Sequence, residues 1–457
     1  MTASTPFRTR PGRYLAGPAL RLPAHRASSA TLAGAYPFLA PPAQTEGVPV
    51  GTDALTGEVF CFDPWALYAT GALTNPNVAL AGVIGHGKST LAKSLAFRSI
   101  AAGRSVFVPG DPKGEWAPLA AAVGGIVVRL GPGHSTRLNP LDLPTAAALP
   151  ATGAPSSTGA AVAGRAQLVA AIASVLLHRG LTPAEHAALD AALTTTVAAH
   201  SVPVLGHVVD ALTTPDSTLA SADGVPVGER AADGRDLGHA LRRLVRGDLT
   251  GMFDAPTTHP IPAGAVMVVL DLSALGSHDE ALTVAMTVGA AWVEAALVGS
   301  VGKRWVIYDE AWRVLAQPAL LRRMQGQWKL ARAYGAAHLL ILHRLSDLDA
   351  VGPTGSATRA LAEGLLADCS TRVVYRQESD QVTATATALG LTGPERDLVA
   401  VLPRGTGLWK LPGRTHVVHH RLHPAELALV DTDTAMRDTI PDPALDGLAT
   451  DSGGGGA

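Results

Sequence analysis

A glycine-rich loop constrains the fold of this chain more than any other feature of the sequence. Residues 82–89 read GVIGHGKS, which fits the phosphate-binding pattern G-x-x-x-x-G-K-[ST] at every fixed position. The apolar run from Asn77 to Ala81 before the loop predicts a strand, and the segment from Thr90 to Ile100 after it predicts a helix. This order of elements places backbone N–H groups and the positive end of a helix around a phosphate. The sequence therefore predicts a site for a nucleoside triphosphate.

Each residue type in the loop has an expected task. We expect Lys88 to reach the β- and γ-phosphates of ATP, and the Ser89 hydroxyl to hold Mg²⁺. The alternative is a chance match in a chain that contains 48 glycines. The flanking strand and helix patterns favour the nucleotide site. The other residues that we expect to bind the nucleotide are Gly82, Gly85, His86, Gly87 and Thr90.

A second motif supplies the acids that ATP hydrolysis needs. Residues 305–310 read WVIYDE, in which large apolar residues precede two carboxylates. A buried strand with this ending is typical of a Walker B motif, in which Asp309 binds both nucleotide and Mg²⁺ and Glu310 activates the attacking water. The alternative is an ordinary buried strand with an acidic end. Because a complete phosphate-binding loop precedes it, the sequence favours hydrolysis of ATP to ADP and phosphate.

Polar residues also follow other predicted strands, at the sheet edge where ligands collect. Residues 111–115 read DPKGE, and they either organise the site or form a solvated turn. Asp271 is a similar case. His343 and Arg344 follow the predicted strand 339–342, where P-loop motors commonly place a sensor of the γ-phosphate; a surface loop is the alternative.

Two arginines flank the last predicted core strand, 372–375. Arg372 and Arg376 are candidates for an arginine finger, the arginine that completes a neighbouring subunit's active site. Arginines at the fringe of a sheet are more often solvated.

The alternation of strand and helix patterns predicts an α/β fold with a mostly parallel sheet flanked by helices. The segment 145–164 contains no charged residue and is rich in Ala, Pro, Gly and Ser, so it predicts a linker. Helical patterns follow, and Thr182, Pro183 and Glu185 form a capping box for one helix.

The predicted organisation is a flexible basic N-terminal arm (1–46), a first part of the ATPase domain (47–144), a linker and α-helical insertion (145–260), a second part (261–430) and a flexible tail (431–457).

Composition excludes several other classes of protein. The formal net charge of −2 gives no general attraction to nucleic acid, so any contact with DNA must be local. The two cysteines, Cys61 and Cys369, argue against a disulfide framework or a zinc site.

The apolar stretch from Ala281 to Val298 contains Glu294 and predicts a buried crossover helix, not a membrane span. The first thirty residues show no secretory signal, and the arginines up to residue 26 mark either a solvated tail or a contact with nucleic acid, lipid or protein.

The ordered set of motifs closely resembles the motor ATPases of conjugative type IV secretion, within the HerA–FtsK superfamily of P-loop translocases. The resemblance runs from about residue 48 to residue 430 and rests on several segments together. FDP at residues 62–64 and NPN at residues 75–77 are similar to the version found in integrative elements and plasmids of actinobacteria. The segments that carry the resemblance are GVIGHGKS (82–89), DPKGE (111–115), LNPLD (138–142), YDEAW (308–312) and LSDL (345–348).

The resemblance implies a RecA-like ATPase with a helical insertion that works as a hexameric ring. It makes Lys88 and Ser89 the phosphate and Mg²⁺ ligands, Asp309 the Walker B acid and Glu310 the catalytic base. Family members usually carry a long N-terminal domain that docks on the inner-membrane channel, whereas here a short arm precedes the motor. We therefore expect either a separate protein or the arm itself to dock on the channel. A glutamine typically ends the family's sensor motif, and this chain has His343 and Arg344 there.

These observations favour a motor for conjugative transfer or secretion, located in the cytoplasm or at the inner face of the cell membrane. A first alternative is a double-stranded DNA translocase of the FtsK and HerA type. A second is a nucleotide-gated scaffold that assembles with little turnover. A metabolic kinase would need an acceptor site, for which the sequence offers no residues.

Overall fold

The computed structural model of the chain describes residues 44–142, 158–262, 264–297, 302–315, 318–331, 334–343 and 356–431. The predicted N-terminal arm up to residue 43 and the predicted tail from residue 432 lie outside these ranges. So does most of the predicted linker. The domain boundaries proposed from the sequence stay predictions.

A sheet of 11 strands lies at the centre of the described chain. Alternate residues along its strands face opposite sides: Val78 and Leu80 join one buried apolar cluster, and Ala79 and Ala81 join the other. This period of two is that of a strand buried on both faces. The strands are β1 (Val48–Asp53), β2 (Val59–Phe62), β3 (Val78–Ala81), β4 (Ser105–Asp111), β5 (Ile126–Arg129), β6 (Met267–Asp271), β7 (Arg304–Tyr308), β8 (Ala336–Leu342), β9 (Thr371–Val374), β10 (Thr406–Leu411) and β11 (Arg414–His420).

The strand order is β2-β1-β11-β10-β9-β3-β8-β7-β4-β6-β5. From β9 to β5 all neighbours are parallel, as the sequence predicted. The strands β10, β11, β1 and β2 extend this sheet in antiparallel pairs. The sequence patterns did not predict this extension. A signal was present in Pro412-Gly413, a two-residue turn between β10 and β11 in which Gly413 has φ of 73°.

Helices cover both faces of the sheet and form the insertion between β5 and β6. The helices before the insertion are α1 (Pro64–Ala69), α2 (Lys88–Ala101) and α3 (Ala117–Ala122). Those of the insertion are α4 (Thr158–Leu176), α5 (Pro183–Ala199), α6 (Leu205–Thr213), α7 (Ser217–Ala222), α8 (Val227–Asp233) and α9 (Arg235–Arg246). The later ones are α10 (Asp279–Leu297), α11 (Ala311–Leu315), α12 (Pro318–Ala331), α13 (Ala357–Ala367), α14 (Val382–Ala388), α15 (Gly393–Val399) and α16 (Pro424–Val430).

The LNPLD segment attaches the helical insertion to the sheet. Asn139 is fully buried and donates its side-chain amide to the carbonyl of Pro203, which precedes α6, at 2.8 Å. Arg165 of α4 donates to the carbonyl of Leu141 at 2.7 Å. Buried polar groups need such partners, so this motif has a structural role here.

Helix α10 is long and apolar enough to cross a membrane, and it is the one such helix among the described residues. Most of it is buried, and it packs against β4 and α4. The burial agrees with the predicted crossover helix.

Candidate nucleotide site

The phosphate-binding loop connects β3 to α2, which begins at Lys88. Gly85 and Gly87 have φ of 80° and 103°, in the left-handed region that favours glycine. At Gly82 the constraint is a close approach, because an added Cβ would lie 2.6 Å from Cβ of Tyr375. The glycines thus shape the loop, and the backbone packs tightly on the residue that follows β9.

The side chain of Lys88 is buried against the phosphate-binding loop. It is 3% exposed, and its Nζ donates to the carbonyl oxygen of Val83, within the loop, at 2.9 Å. Burial lowers its pKa to about 8, although the nearby charges of Asp309 and Glu310 act in the opposite direction. The charges of the loop lysine and of the two acids therefore influence one another.

The sheet order explains how these motifs meet. Strand β8 lies between β3, which leads into the loop, and β7, which leads into Asp309 and Glu310. All three strands are parallel, so their carboxyl ends meet at one edge. His343 follows β8 and therefore lies between the loop and the acids.

Asp309 is a buried carboxylate that accepts two hydrogen bonds. Its Oδ2 accepts from Nε1 of Trp116 at 2.9 Å, and its Oδ1 accepts from the backbone N–H of Glu310 at 3.0 Å. Burial raises its pKa, and the donor from Trp116 only partly offsets that effect. A divalent cation would compensate the buried negative charge.

Glu310 is held by three side chains. Its Oε1 lies 2.5 Å from Nζ of Lys113 and 3.0 Å from Nε2 of His343, and its Oε2 accepts from Nε1 of Trp312 at 2.7 Å. Burial opposes the charge of Glu310, but its hydrogen bonds to His343 and Lys113 outweigh burial and lower the pKa. Its backbone has φ of 52°, a strained conformation for a residue that is not glycine. The acid is therefore ionised and tightly placed.

The turn that contains DPKGE belongs to this site. Asp111 accepts from the backbone N–H groups of Glu115 and Trp116, at 3.2 and 2.8 Å, and so fixes the turn. Burial raises the pKa of Asp111 to about 6, and the charges of Asp309 and Asp271 act in the same direction. Glu115 forms an ion pair with Lys93 of α2 at 3.0 Å. Of the two readings left open by the sequence, the geometry agrees with a turn that organises the site.

The remaining loop residues lie on the rim of the site. Ser89 and Thr90 are half-buried in the first turn of α2. His86 accepts a backbone hydrogen bond from Gly405 at 3.1 Å. Burial lowers the pKa of His86, and the charges of Arg376, Lys88 and Arg404 add to this effect. The loop is also contacted by Tyr375 and Gly405 and is influenced by the charge of Arg404. No local sequence pattern predicted these three residues, because they lie far from the loop in the chain.

Other predicted residues have local partners or fall outside the described residues. Arg344 and the LSDL segment lie outside the described residues. Arg372 donates to the carbonyls of Leu389 and Ala367, at 3.0 and 3.3 Å, and so joins the ends of α14 and α13. Its role as an arginine finger stays a prediction. Asp271 accepts from the hydroxyl and the N–H of Ser273, within its own turn.

The residues fit ATP and Mg²⁺. At Gly85 an added Cβ would meet nothing within 4 Å, so the loop is open there, and Nδ1 of His86 is buried without a hydrogen-bond partner among the described residues. Ser89 and Asp309 supply the hydroxyl and the carboxylate that Mg²⁺ prefers. When bound, Mg²⁺ would neutralise charge on the phosphate oxygens.

Comparison with solved structures supports the same fold. No protein-family model and no curated protein sequence matches the chain. VirB4 of Thermoanaerobacter pseudethanolicus superposes with a TM-score of 0.68 at 21% identity, over 84% of this chain and 98% of that chain. The chain has the fold of VirB4. The conjugation-motor resemblance drawn from the motifs is thus confirmed at the level of the fold.

A second similarity is to the plasmid coupling protein TrwB. Its complex with the ATP analogue ADPNP superposes with a TM-score of 0.54 at 15% identity, over 83% of this chain and 91% of that chain. TrwB has also been solved with ADP and Mg²⁺, with a TM-score of 0.52. Together with VirB4, it assigns the RecA-like P-loop ATPase fold to this chain, as predicted.

Proposed function

We propose that the protein is an ATP-hydrolysing motor of a conjugative transfer or type IV secretion system. The observation that carries the proposal is the convergence of Lys88, Asp309 and Glu310 at one sheet edge. Lys88 would hold the β- and γ-phosphates, and Ser89 and Asp309 would hold Mg²⁺. Glu310 would orient the attacking water and accept its proton. The similarity to VirB4 and TrwB supports the choice of this class of motor.

The motor would act through self-association. We propose a hexameric ring, with type IV secretion channel components or a membrane-docking protein as partners and DNA or protein as the cargo. The place of action would be the cytoplasm or the inner face of the cell membrane. Sedimentation velocity with and without ATP tests the ring, and a monomer under all nucleotide conditions would contradict it.

Release of phosphate from ATP tests the chemistry. With Mg²⁺ present, we expect Glu310→Gln to lower turnover by at least roughly a hundredfold while ATP still binds. Glu363→Gln, on the exposed face of α13, is the matched control and should keep full turnover. Equal turnover in Glu310→Gln and the unchanged protein would contradict the assigned base.

The same assay separates the motor from its alternatives. Salt-sensitive stimulation by DNA would favour the translocase of the FtsK and HerA type. The scaffold gains some support from Glu310 itself, because Lys113 and His343 hold the carboxylate that should bind water. ATP-dependent assembly without phosphate release would favour the scaffold over the motor.

A further inference from the structure

Lys113 contacts Glu310, the carboxylate that would have to bind the attacking water in ATP hydrolysis. Oε1 of Glu310 accepts hydrogen bonds from both Lys113 and His343. These two bonds occupy both lone pairs of that oxygen. Oε2 accepts from Trp312. The side chain of Glu310 is only 9% exposed. In this arrangement Oε1 has no capacity left to orient a water molecule.

Of the two side chains that contact Oε1, that of Lys113 is the more exposed and the freer to move. Its side chain is 53% exposed, whereas that of His343 is 13% exposed. The backbone around Lys113 is fixed on its C-terminal side by the bonds from Glu115 and Trp116 to Asp111. The ammonium group can therefore change partners by rotation of its flexible side chain, without movement of the turn.

A bound phosphate would be an alternative partner for the ammonium group. Lys113 reaches Glu310 at 2.5 Å, and Glu310 follows β7 at the same sheet edge as the loop that carries Lys88, the residue predicted to hold the β- and γ-phosphates. A γ-phosphate carries more negative charge than a single carboxylate, and charge-assisted hydrogen bonds to phosphate are strong. ATP would therefore compete with Glu310 for Lys113 more effectively than ADP would.

We propose that Lys113 exchanges partners during the ATP cycle. It pairs with Glu310 in the arrangement seen here and turns to the γ-phosphate in the ATP complex, which frees Oε1 while His343 and Trp312 keep the carboxylate aligned. Lys113 is thus a positioning residue that makes Oε1 of Glu310 available to water only when ATP is bound. The inference rests on the proposed ATPase function, and it adds the residue that links the presence of the γ-phosphate to the base.

Nucleotide binding without turnover gives the first test. With the full chain, the dissociation constants of ADP and a non-hydrolysable ATP analogue are measured for the unchanged protein, Lys113→Met and Lys113→Arg. We expect Lys113→Met to lower the preference for the analogue over ADP by at least about fivefold, and Lys113→Arg to retain most of it. Lys303→Met removes an exposed lysine from the opposite end of β7 and should change nothing. An unchanged preference in Lys113→Met would overturn the proposal.

A double-mutant cycle gives the second test. Glu310→Gln removes the anionic partner of Lys113, so the analogue should bind more tightly relative to ADP. That gain should vanish in the double variant with Lys113→Met, and a gain that persists there would contradict partner exchange. Thermal unfolding of each variant checks the fold. Because neither test needs turnover, an unchanged protein that releases no phosphate would refute the proposed function without deciding the role of Lys113.

Discussion

Trp116 joins two parts of the site that are far apart in the chain. Its backbone N–H donates to Asp111, and its indole donates to Asp309, which follows β7, at 2.9 Å. The side chain is fully buried. Removal of the indole donor would leave the buried carboxylate of Asp309 with one hydrogen bond fewer. The pKa of Asp309 would rise, and Asp309 would become a weaker ligand for a cation.

We therefore expect Trp116→Phe to raise the Mg²⁺ concentration that gives half-maximal phosphate release by about threefold to tenfold, in line with the 1 kcal/mol scale of one hydrogen bond. A titration with Mg²⁺ at saturating ATP measures it. Trp305→Phe is the control, because the indole of Trp305 donates to Ser99, away from the acids. Equal Mg²⁺ requirements in the two variants would show that Trp116 does not tune Asp309.

At the scale of elements, helix α5 begins with the capping box that the sequence predicted. Thr182 accepts from the N–H of Glu185 at 3.2 Å, and Glu185 accepts from the N–H of Thr182 at 2.7 Å. Glu185 also pairs with Arg179 through two hydrogen bonds of 2.8 Å. The hydrogen bonds from Arg179 lower the pKa of Glu185 to about 2, against the effect of burial.

Because the folded-state pKa is depressed, ionised Glu185 stabilises the fold above about pH 4.5, and this contribution is lost as the pH falls towards 2. We expect Glu185→Gln to lower the free energy of unfolding by about 1 kcal/mol at pH 7 and by less at pH 3.5. Urea unfolding at both pH values measures the difference. Asp190→Asn, exposed on the same helix, should have little effect, and a loss for Glu185→Gln that does not depend on pH would contradict the assignment.

At the scale of the whole molecule, Arg98 connects the phosphate-loop helix to two distant segments. It forms a bidentate pair with Glu426 of α16, at 2.9 and 2.7 Å, and donates to the carbonyl of Pro49 in β1 at 2.6 Å. Ser94 also donates to Glu426 at 2.6 Å. Both ends of the described chain are thus held against the helix that carries Lys88.

We expect Arg98→Met to lower the free energy of unfolding by about 3 kcal/mol, because it leaves the buried carboxylate of Glu426 without its cation. Denaturation in urea, compared at equal m-values, measures the loss. Arg396→Met breaks an exposed pair with Asp397 and should cost less than about 1 kcal/mol. Similar losses in the two variants would mean that the Arg98 pair adds no more than a surface ion pair.

The sequence by itself determined the features that depend on neighbours in the chain. The phosphate-binding loop, the acids after β7, the seven parallel strands and the cap of α5 each follow from local patterns of glycine, apolar and capping residues. Such patterns act over a few residues, so a single sequence displays them.

Tertiary structure alone decided which of these pieces meet. Lys113, His343 and Glu310 are far apart in sequence, and only the position of β8 between β3 and β7 brings His343 to the acid. The antiparallel strands beyond β9, and the bond from Trp116 to Asp309, depend likewise on pairings across long stretches of chain. Local propensity carries no information about such pairings, because their free energy comes from contacts that form only once the sheet is assembled.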